Sequence, residues 1–153
     1  MSKTHMLFAL LIGSSLFYLL EIEQKIVFLS IVLVASIFPD IDTPYSRIGR
    51  KIKPVSSFLK LVFRHRGFLH TVFFLILIDF LLLYLELGFF AFGFSVGFLS
   101  HLIIDGATKQ GVKPFYPINF RVSGPLRTGS FFENILAFLF LIGILFNIYR
   151  YFF

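Results

Sequence analysis

The chain lacks cysteine and tryptophan, and few of its residues carry a charge. Asp, Glu, Lys and Arg together make up only 14% of the 153 residues. The missing cysteines exclude disulfide bonds and thiolate metal sites. The low charge excludes an ordinary soluble domain, because such domains carry about 25% charged residues.

Apolar residues replace the missing charges. They make up 58% of the chain, and the mean hydropathy is +0.90, which indicates an integral membrane protein. The polar stretches are too short for a separate soluble domain, so we expect one membrane-embedded domain over residues 1–153. The first apolar run resembles a signal peptide but lacks a small-residue cleavage pattern, and we interpret it as a retained span.

The apolar residues form five runs, which predict an all-α membrane bundle of about five transmembrane or partly spanning helices. The runs cover residues 6–20, 26–38, 68–87, 88–104 and 131–153. The first two are shorter than the roughly 20 residues that a full crossing needs, so we expect them to be partial spans or to end in polar, protein-lined space. A basic stretch (39–66) and a Gly/Pro-rich stretch (106–130) connect the runs.

The distribution of Lys and Arg predicts an orientation. With five crossings and a cytoplasmic N-terminus, 12 of the 14 basic residues face the cytoplasm, and only Lys25 and Arg150 face outward. This asymmetry follows the positive-inside rule. We therefore predict a multi-pass protein of the inner (cytoplasmic) membrane whose basic loops contact anionic lipid headgroups.

In this topology all four histidines lie at the cytoplasmic end of the bundle, where several acidic residues join them. The set brings imidazoles and carboxylates from distant parts of the chain to one depth of the membrane. Its members are His5, His65, His70, His101, Asp40, Asp42, Asp105 and Glu133.

Local spacing gives each member a candidate role and an alternative. His101 and Asp105 are four apart and share a helix face, although helix ends often carry such residues as interfacial groups. His65 and His70 are five apart, about 140° around a helix, so they can share a site only if Gly67 breaks the helix.

The two acidic motifs, PDID and Ser130 to Glu133, also allow two interpretations each. After Pro39 an extended backbone would point Asp40 and Asp42 the same way, although a turn with two solvated acids fits as well. Ser130 and Glu133 have the spacing of a capping box as well as the chemistry of a site.

Taken together, these residues predict a metal centre. Imidazole and carboxylate ligands suit Zn²⁺, and also Mn²⁺ or Fe²⁺. The ligand candidates exceed the four that one zinc needs, so one to two ions are expected. A binuclear site favours hydrolysis of a phosphoester or a similar group.

The ordered motifs resemble the YdjM family of inner-membrane metal-dependent hydrolases. They are an N-terminal His, PDID, HRG followed by HT, GFLSHLIID with a following Thr and Gly, and a late GSFFE. The family is in turn similar to zinc-dependent phospholipase C and the zinc single-strand nucleases, which implies a phospholipase C-like core. The resemblance implies that one metal is held by Asp40, His65 or His70, His101 and Asp105. His5 and Asp105 would contribute to a second.

One departure from that resemblance concerns the late part of the chain. The histidines that complete a third metal site in the soluble enzymes have no counterpart after Asp105, which leaves Glu133 as the only late ligand. We predict Asp40, Asp42 and Glu133 as catalytic residues. The predicted phosphate contacts are Arg66, Lys113 and Arg121, since the basic field of this face concentrates anions.

The expected partners are membrane lipids and an anionic phosphoester substrate, and no nucleic acid is expected. Two other functions fit the same residues. A metal carrier would place its site near the midplane, where only Asp79 lies, although pairing inside the bundle also accounts for that acid. A membrane scaffold would use a closed structural metal to join helix ends.

Overall fold

A computed structural model describes residues 2–46, 49–63 and 67–152. This part of the chain is all-helical and has no β-strand, which confirms the predicted all-α class. The six α-helices are α1 (Ser2–Ser15), α2 (Lys25–Ala35), α3 (Lys53–Phe63), α4 (Val72–Tyr84), α5 (Gly88–Ala107) and α6 (Phe131–Phe152). Two short 3₁₀ turns carry site residues: the PDID turn (Pro39–Asp42) and the FLH turn (Phe68–His70).

Five of the six helices correspond to the predicted apolar runs, and α3 does not. It lies inside the stretch that the sequence analysis treats as a basic connection. Its lysines interrupt the apolar run, so hydropathy alone hides the helix. Pro54 in its first turn favours helix initiation there, since proline needs no backbone N–H at that position.

Two helices, α5 with 20 residues and α6 with 22, are long and apolar enough to cross a membrane. The other apolar helices, α1, α2 and α4, have 14, 11 and 13 residues. They are shorter than the roughly 20 residues of a full crossing, as expected for α1 and α2. The five-crossing topology and the cytoplasmic N-terminus therefore stay predictions.

Helix α5 is the centre of the bundle and packs against α1, α2 and α4, while α6 packs against α1. The contact between α5 and α2 is unusually close at Gly97. A Cβ atom on Gly97 would lie 2.2 Å from the carbonyl oxygen of Val32 and 2.7 Å from the Cβ of Ala35. Gly93, one turn earlier, lies similarly close to Ile31. The two glycines form the small-residue pattern that lets membrane helices approach closely.

The Gly/Pro-rich stretch folds back on the C-terminal end of α5. Val112 and Val122 exchange backbone hydrogen bonds of 2.9 Å in each direction, and Val112 is buried in the core. The backbone N–H of Val72, at the start of α4, donates to the carbonyl of Pro114 at 2.8 Å. This connection therefore has fixed contacts with both α4 and α5.

We predict that Gly97→Ala destabilises the protein, because the added methyl group must separate α5 from α2. Overpacking of this kind costs about 1–3 kcal/mol, and the unfolding midpoint in detergent should fall by about 2–4 °C per kcal/mol. Gly88→Ala on the same helix is the matched control, because its Cβ would meet nothing closer than 3.8 Å. Equal midpoints for the two variants would contradict the close contact.

Candidate metal centre

The site begins with His101 and Asp105, which lie on the same face of α5 as Gly93 and Gly97. The four residues follow one another at intervals of four, so the face that packs closely on α2 continues into the site. Both site residues are buried. The close packing at Gly97 thus fixes the position of His101 one turn later.

The His101 ring is oriented by a backbone carbonyl of the neighbouring segment. Its Nδ1 lies 2.7 Å from the carbonyl oxygen of Ser36, just after α2. A carbonyl only accepts, so Nδ1 carries a proton, and in the neutral ring Nε2 has the lone pair. That Nε2 is buried and has no hydrogen-bond partner within the described residues. A buried nitrogen with an available lone pair and an oriented ring is typical of a metal ligand.

His5 reaches the same place from the first turns of α1. Its ring stacks on that of His101 at a centroid distance of 4.1 Å, and its Nε2 lies 3.5 Å from Oδ1 of Asp105. The neighbouring Thr4 donates a 2.7 Å hydrogen bond to Glu133 on α6. This bond ties the start of α1 to the start of α6 and holds His5 in the site.

His70 comes from the FLH turn immediately before α4. The hydroxyl of Thr71 caps that helix by accepting from the backbone N–H of Phe74 at 3.1 Å, so the chain enters α4 at a fixed angle. The Nε2 of His70 lies 3.8 Å from Oδ2 of Asp105. Burial lowers the pKa of the His70 imidazole, although the Asp42 carboxylate opposes this change. A lowered pKa keeps the ring neutral at pH 7, as metal binding requires.

The PDID turn brings both of its acids to His70. The predicted extended backbone is wrong, because Pro39–Asp42 forms a 3₁₀ turn, but both carboxylates face the His70 ring. Asp42 is fully buried, accepts a 2.9 Å hydrogen bond from Thr43 and lies 3.5 Å from Nδ1 of His70. Asp40 is half-buried and faces His70 and His101.

These residues form two overlapping groups of candidate ligands. The donor atoms of His5, His101 and Asp105 lie within 4.8 Å of one another, and so do those of Asp40, His70 and His101. Ligands about 2.1 Å from a tetrahedral ion are about 3.4 Å apart. The Asp105 carboxylate lies 3.5, 3.8 and 3.6 Å from the His5, His70 and His101 nitrogens. The spacing fits, so the buried cluster can bind a metal ion, whose identity the residues leave open.

The structure brings five of the six predicted ligands together: His5, Asp40, His70, His101 and Asp105. The sixth, His65, lies outside the described residues, as does the predicted phosphate contact Arg66. Their roles stay predictions.

The remaining predicted residues have identifiable contacts. The Glu133 carboxylate accepts hydrogen bonds from the Thr4 hydroxyl and, at 2.6 Å, from the backbone N–H of Gly129. The backbone N–H of Glu133 donates to the Ser130 hydroxyl at 3.3 Å, as in a helix cap. Lys113 donates to Asn119, and Arg121 to the carbonyls of Lys109 and Gln110. The catalytic role of Glu133 and the phosphate contacts stay predictions.

Two further residues support the site: Ser36, which sequence reasoning missed, and Thr108, which belongs to the Thr and Gly that follow GFLSHLIID in the motif. The Ser36 carbonyl orients His101, but a backbone acceptor leaves no signal in a side-chain pattern. Thr108 accepts from the N–H of Gly111 at 3.1 Å and donates to the Asp105 carbonyl at 2.7 Å, which closes the turn behind the ligand. The positive φ of Gly111, 64°, favours glycine in that turn, which explains the glycine in the motif.

Comparison with known proteins identifies the family of the chain. The family described as YdjM inner membrane protein matches residues 1–152. The chain belongs to the YdjM family. This confirms the predicted family and, together with the two candidate spans, supports location in a membrane. The hydrolase activity and the phospholipase C-like core that the resemblance implies stay predictions.

Two relatives of the chain illustrate the extent of the similarity. The uncharacterized protein YvsG of Bacillus subtilis is 37% identical over 106 residues, which is 67% of this chain and 66% of that protein. The inner membrane protein YdjM of Escherichia coli is 33% identical over 100 residues, 61% of this chain and 51% of that protein. The chain therefore matches about half to two thirds of the length of these relatives. No solved structure matches it significantly.

We predict that Asp105→Asn lowers metal content, because the carboxylate faces three imidazoles and an amide would turn an N–H toward at least one of them. The expected loss of metal affinity is about 10-fold or more. The measurement is elemental analysis of purified protein after dialysis against a weak chelator.

Asp79→Asn is the matched control for Asp105→Asn, since Asp79 is on α4 and hydrogen-bonds Ser95, away from the site. It should leave metal content unchanged. Loss of metal from Asp79→Asn together with full retention by Asp105→Asn would place the metal elsewhere.

Proposed function

We propose that the protein is a membrane-bound, metal-dependent hydrolase that cleaves phosphoesters at the cytoplasmic membrane face. One observation carries the proposal: the buried Asp105 carboxylate lies at metal-ligand spacing from three imidazoles. A metal ion bound among these groups would offset the cost of burying imidazoles and carboxylates together, which supports the proposal.

The candidate ligands would form one metal position with four protein ligands and a second with two. His70, His101, Asp40 and Oδ2 of Asp105 would hold the first ion. His101 can serve only one ion, since Ser36 occupies its Nδ1. The second ion would have His5 and Oδ1 of Asp105. This division agrees with the ligand sets that the resemblance implies, with His70 in the place that the motif left open between two histidines.

A bound zinc, manganese or iron ion supplies Lewis acidity and lowers the pKa of water toward neutrality. The protein supplies the surroundings. The FLH turn and the end of α5 hold the imidazoles, and Asp42 lies behind His70, where it fixes the ring and raises its basicity. Asp40 is the half-buried member of the set, so the substrate would enter on its side.

The charges around the site favour an anionic substrate. The PDID and FLH turns flank a segment that contains Lys51, Lys53 and Lys60, and Asp105 precedes one that contains Lys109 and Arg127. These basic segments join the bundle at the end that holds the site. Their field would attract anions, and in a membrane protein the nearest anionic phosphoesters are lipid headgroups.

We predict that metal-loaded protein releases product from a phospholipid or a chromogenic phosphodiester, and that Asp105→Asn reduces the rate at least about 10-fold. Phosphate or alcohol release is measured in detergent or nanodiscs with added zinc or manganese. Asp79→Asn serves as the folding-matched control. Stoichiometric metal without hydrolysis across a panel of lipid and soluble phosphoesters would favour the scaffold alternative.

Asp42→Asn separates an orienting role from a catalytic one. If Asp42 orients His70, the substitution should weaken metal affinity by about 10–100-fold. Saturating metal should then restore most of the hydrolysis rate. A rate that stays low at full metal occupancy would instead assign Asp42 to the chemical step, as the sequence analysis predicts.

A further inference from the structure

Helix α3 has three different faces, and among its described side chains, up to Leu61, one face packs on the protein. The inner face carries Ser56, which is buried and donates to the Gly49 carbonyl at 3.2 Å, and Leu59, which packs against the core. This face rests on the PDID turn, which carries Asp40 and Asp42. The position of α3 is thus coupled to that of the candidate ligands.

The second face is apolar and exposed. Val55, Phe58 and Leu61 follow at intervals of three and are 52%, 64% and 82% exposed. Tyr45 is 78% exposed but lies on the side of Lys60, whose ammonium is 5.5 Å from its ring centroid. An exposed apolar row such as Val55, Phe58 and Leu61 marks a site of contact with a membrane or another molecule.

The third face is cationic. Lys53 and Lys60 are exposed and lie roughly 140–160° around the helix from Phe58. Exposed Arg50 and Lys51 precede the helix. With 11 residues α3 is too short to cross a bilayer. A short helix with lysines opposite an aromatic and aliphatic row has the features of a helix that lies in the membrane interface.

We propose that α3 binds anionic lipid as an in-plane interfacial helix. Val55, Phe58 and Leu61 enter the boundary between headgroups and acyl chains, and Lys53 and Lys60 contact the lipid phosphates. The lysines favour an anionic bilayer surface over an apolar protein partner, because protein interface cores are depleted in lysine. The lipid contact sets the depth of the PDID turn in the headgroup layer. This proposal does not depend on hydrolysis.

The absence of tryptophan from the chain allows a direct test. Phe58→Trp introduces a single fluorescent reporter on the apolar face, and Ser57→Trp places the same reporter on the exposed polar side. Both variants are reconstituted as full-length protein in nanodiscs that contain anionic lipid. Quenching is measured with lipids labelled near the headgroup, with lipids labelled at the chain end, and with acrylamide in the water.

We expect blue-shifted emission from Phe58→Trp, with strong quenching by the headgroup-proximal label and little by acrylamide. Ser57→Trp should show the opposite response. Acrylamide quenching that is equal in the two variants would overturn the proposal. So would a blue-shifted Phe58→Trp that neither lipid label quenches, since protein would then cover the face, or one quenched best at the chain end, since the segment would then be deeply inserted.

The lysines are tested in the same reporter background. Anionic nanodiscs should shift the insertion equilibrium of Phe58→Trp about fivefold per lysine relative to zwitterionic nanodiscs, read as reduced acrylamide quenching. Lys53→Gln with Lys60→Gln should reduce this lipid dependence about fivefold for each lysine, while Arg50 and Lys51 keep the remainder. The control pair, Lys109→Gln with Arg127→Gln, removes the same charge from exposed positions outside α3 and should preserve it. Lipid dependence that is unchanged by loss of the α3 lysines would refute their role.

Discussion

The Asp105 carboxylate, buried among three imidazoles, is the interaction on which the rest of the structure depends. Its oxygens lie between 3.5 and 3.8 Å from nitrogens of α1, the FLH turn and α5 itself. A carboxylate in such a place is stable only with a compensating charge. Two of the helices that meet there, α1 and α4, have only 14 and 13 residues, so the polar end that they share with α5 does much to define how they assemble.

The close packing that brings the site residues together depends on glycine rather than on polar residues. Lipid offers little hydrophobic drive for helix association, so helices in a membrane associate through close packing. Gly97 brings the α5 backbone against Val32, and the same register carries His101 to the Ser36 carbonyl one turn later. Packing and site geometry are therefore a single constraint along α5, and a change that separates α2 from α5 affects both.

The sequence predicted the features that depend on composition and period. Hydropathy located five of the six helices, and the placement of His5, His70, His101 and Asp105 at one end followed from where the apolar runs stop. Other features depend on competition between local geometries. The PDID turn is 3₁₀ rather than extended, although both of its acids face His70. Helix α3 mixes lysines with apolar residues, so its mean hydropathy over a window is low and the segment resembles a polar loop. The Ser36 contact uses a backbone atom, which no residue pattern encodes.

The depth of the site follows from the cost of placing ionisable groups in hydrocarbon. Placing a charged group at the bilayer centre costs several kcal/mol of free energy, whereas water and counter-ions can reach a charged group near the interface. The ligands occupy the ends of α1, α5 and the turns before α3 and α4, so their desolvation is local. Helix α3, with lysines on one face and an exposed apolar row on another, borders this end. Under the proposed function, a site at that depth would be open to headgroup phosphates and closed to acyl chains, so its candidate ligands would lie beside the membrane surface.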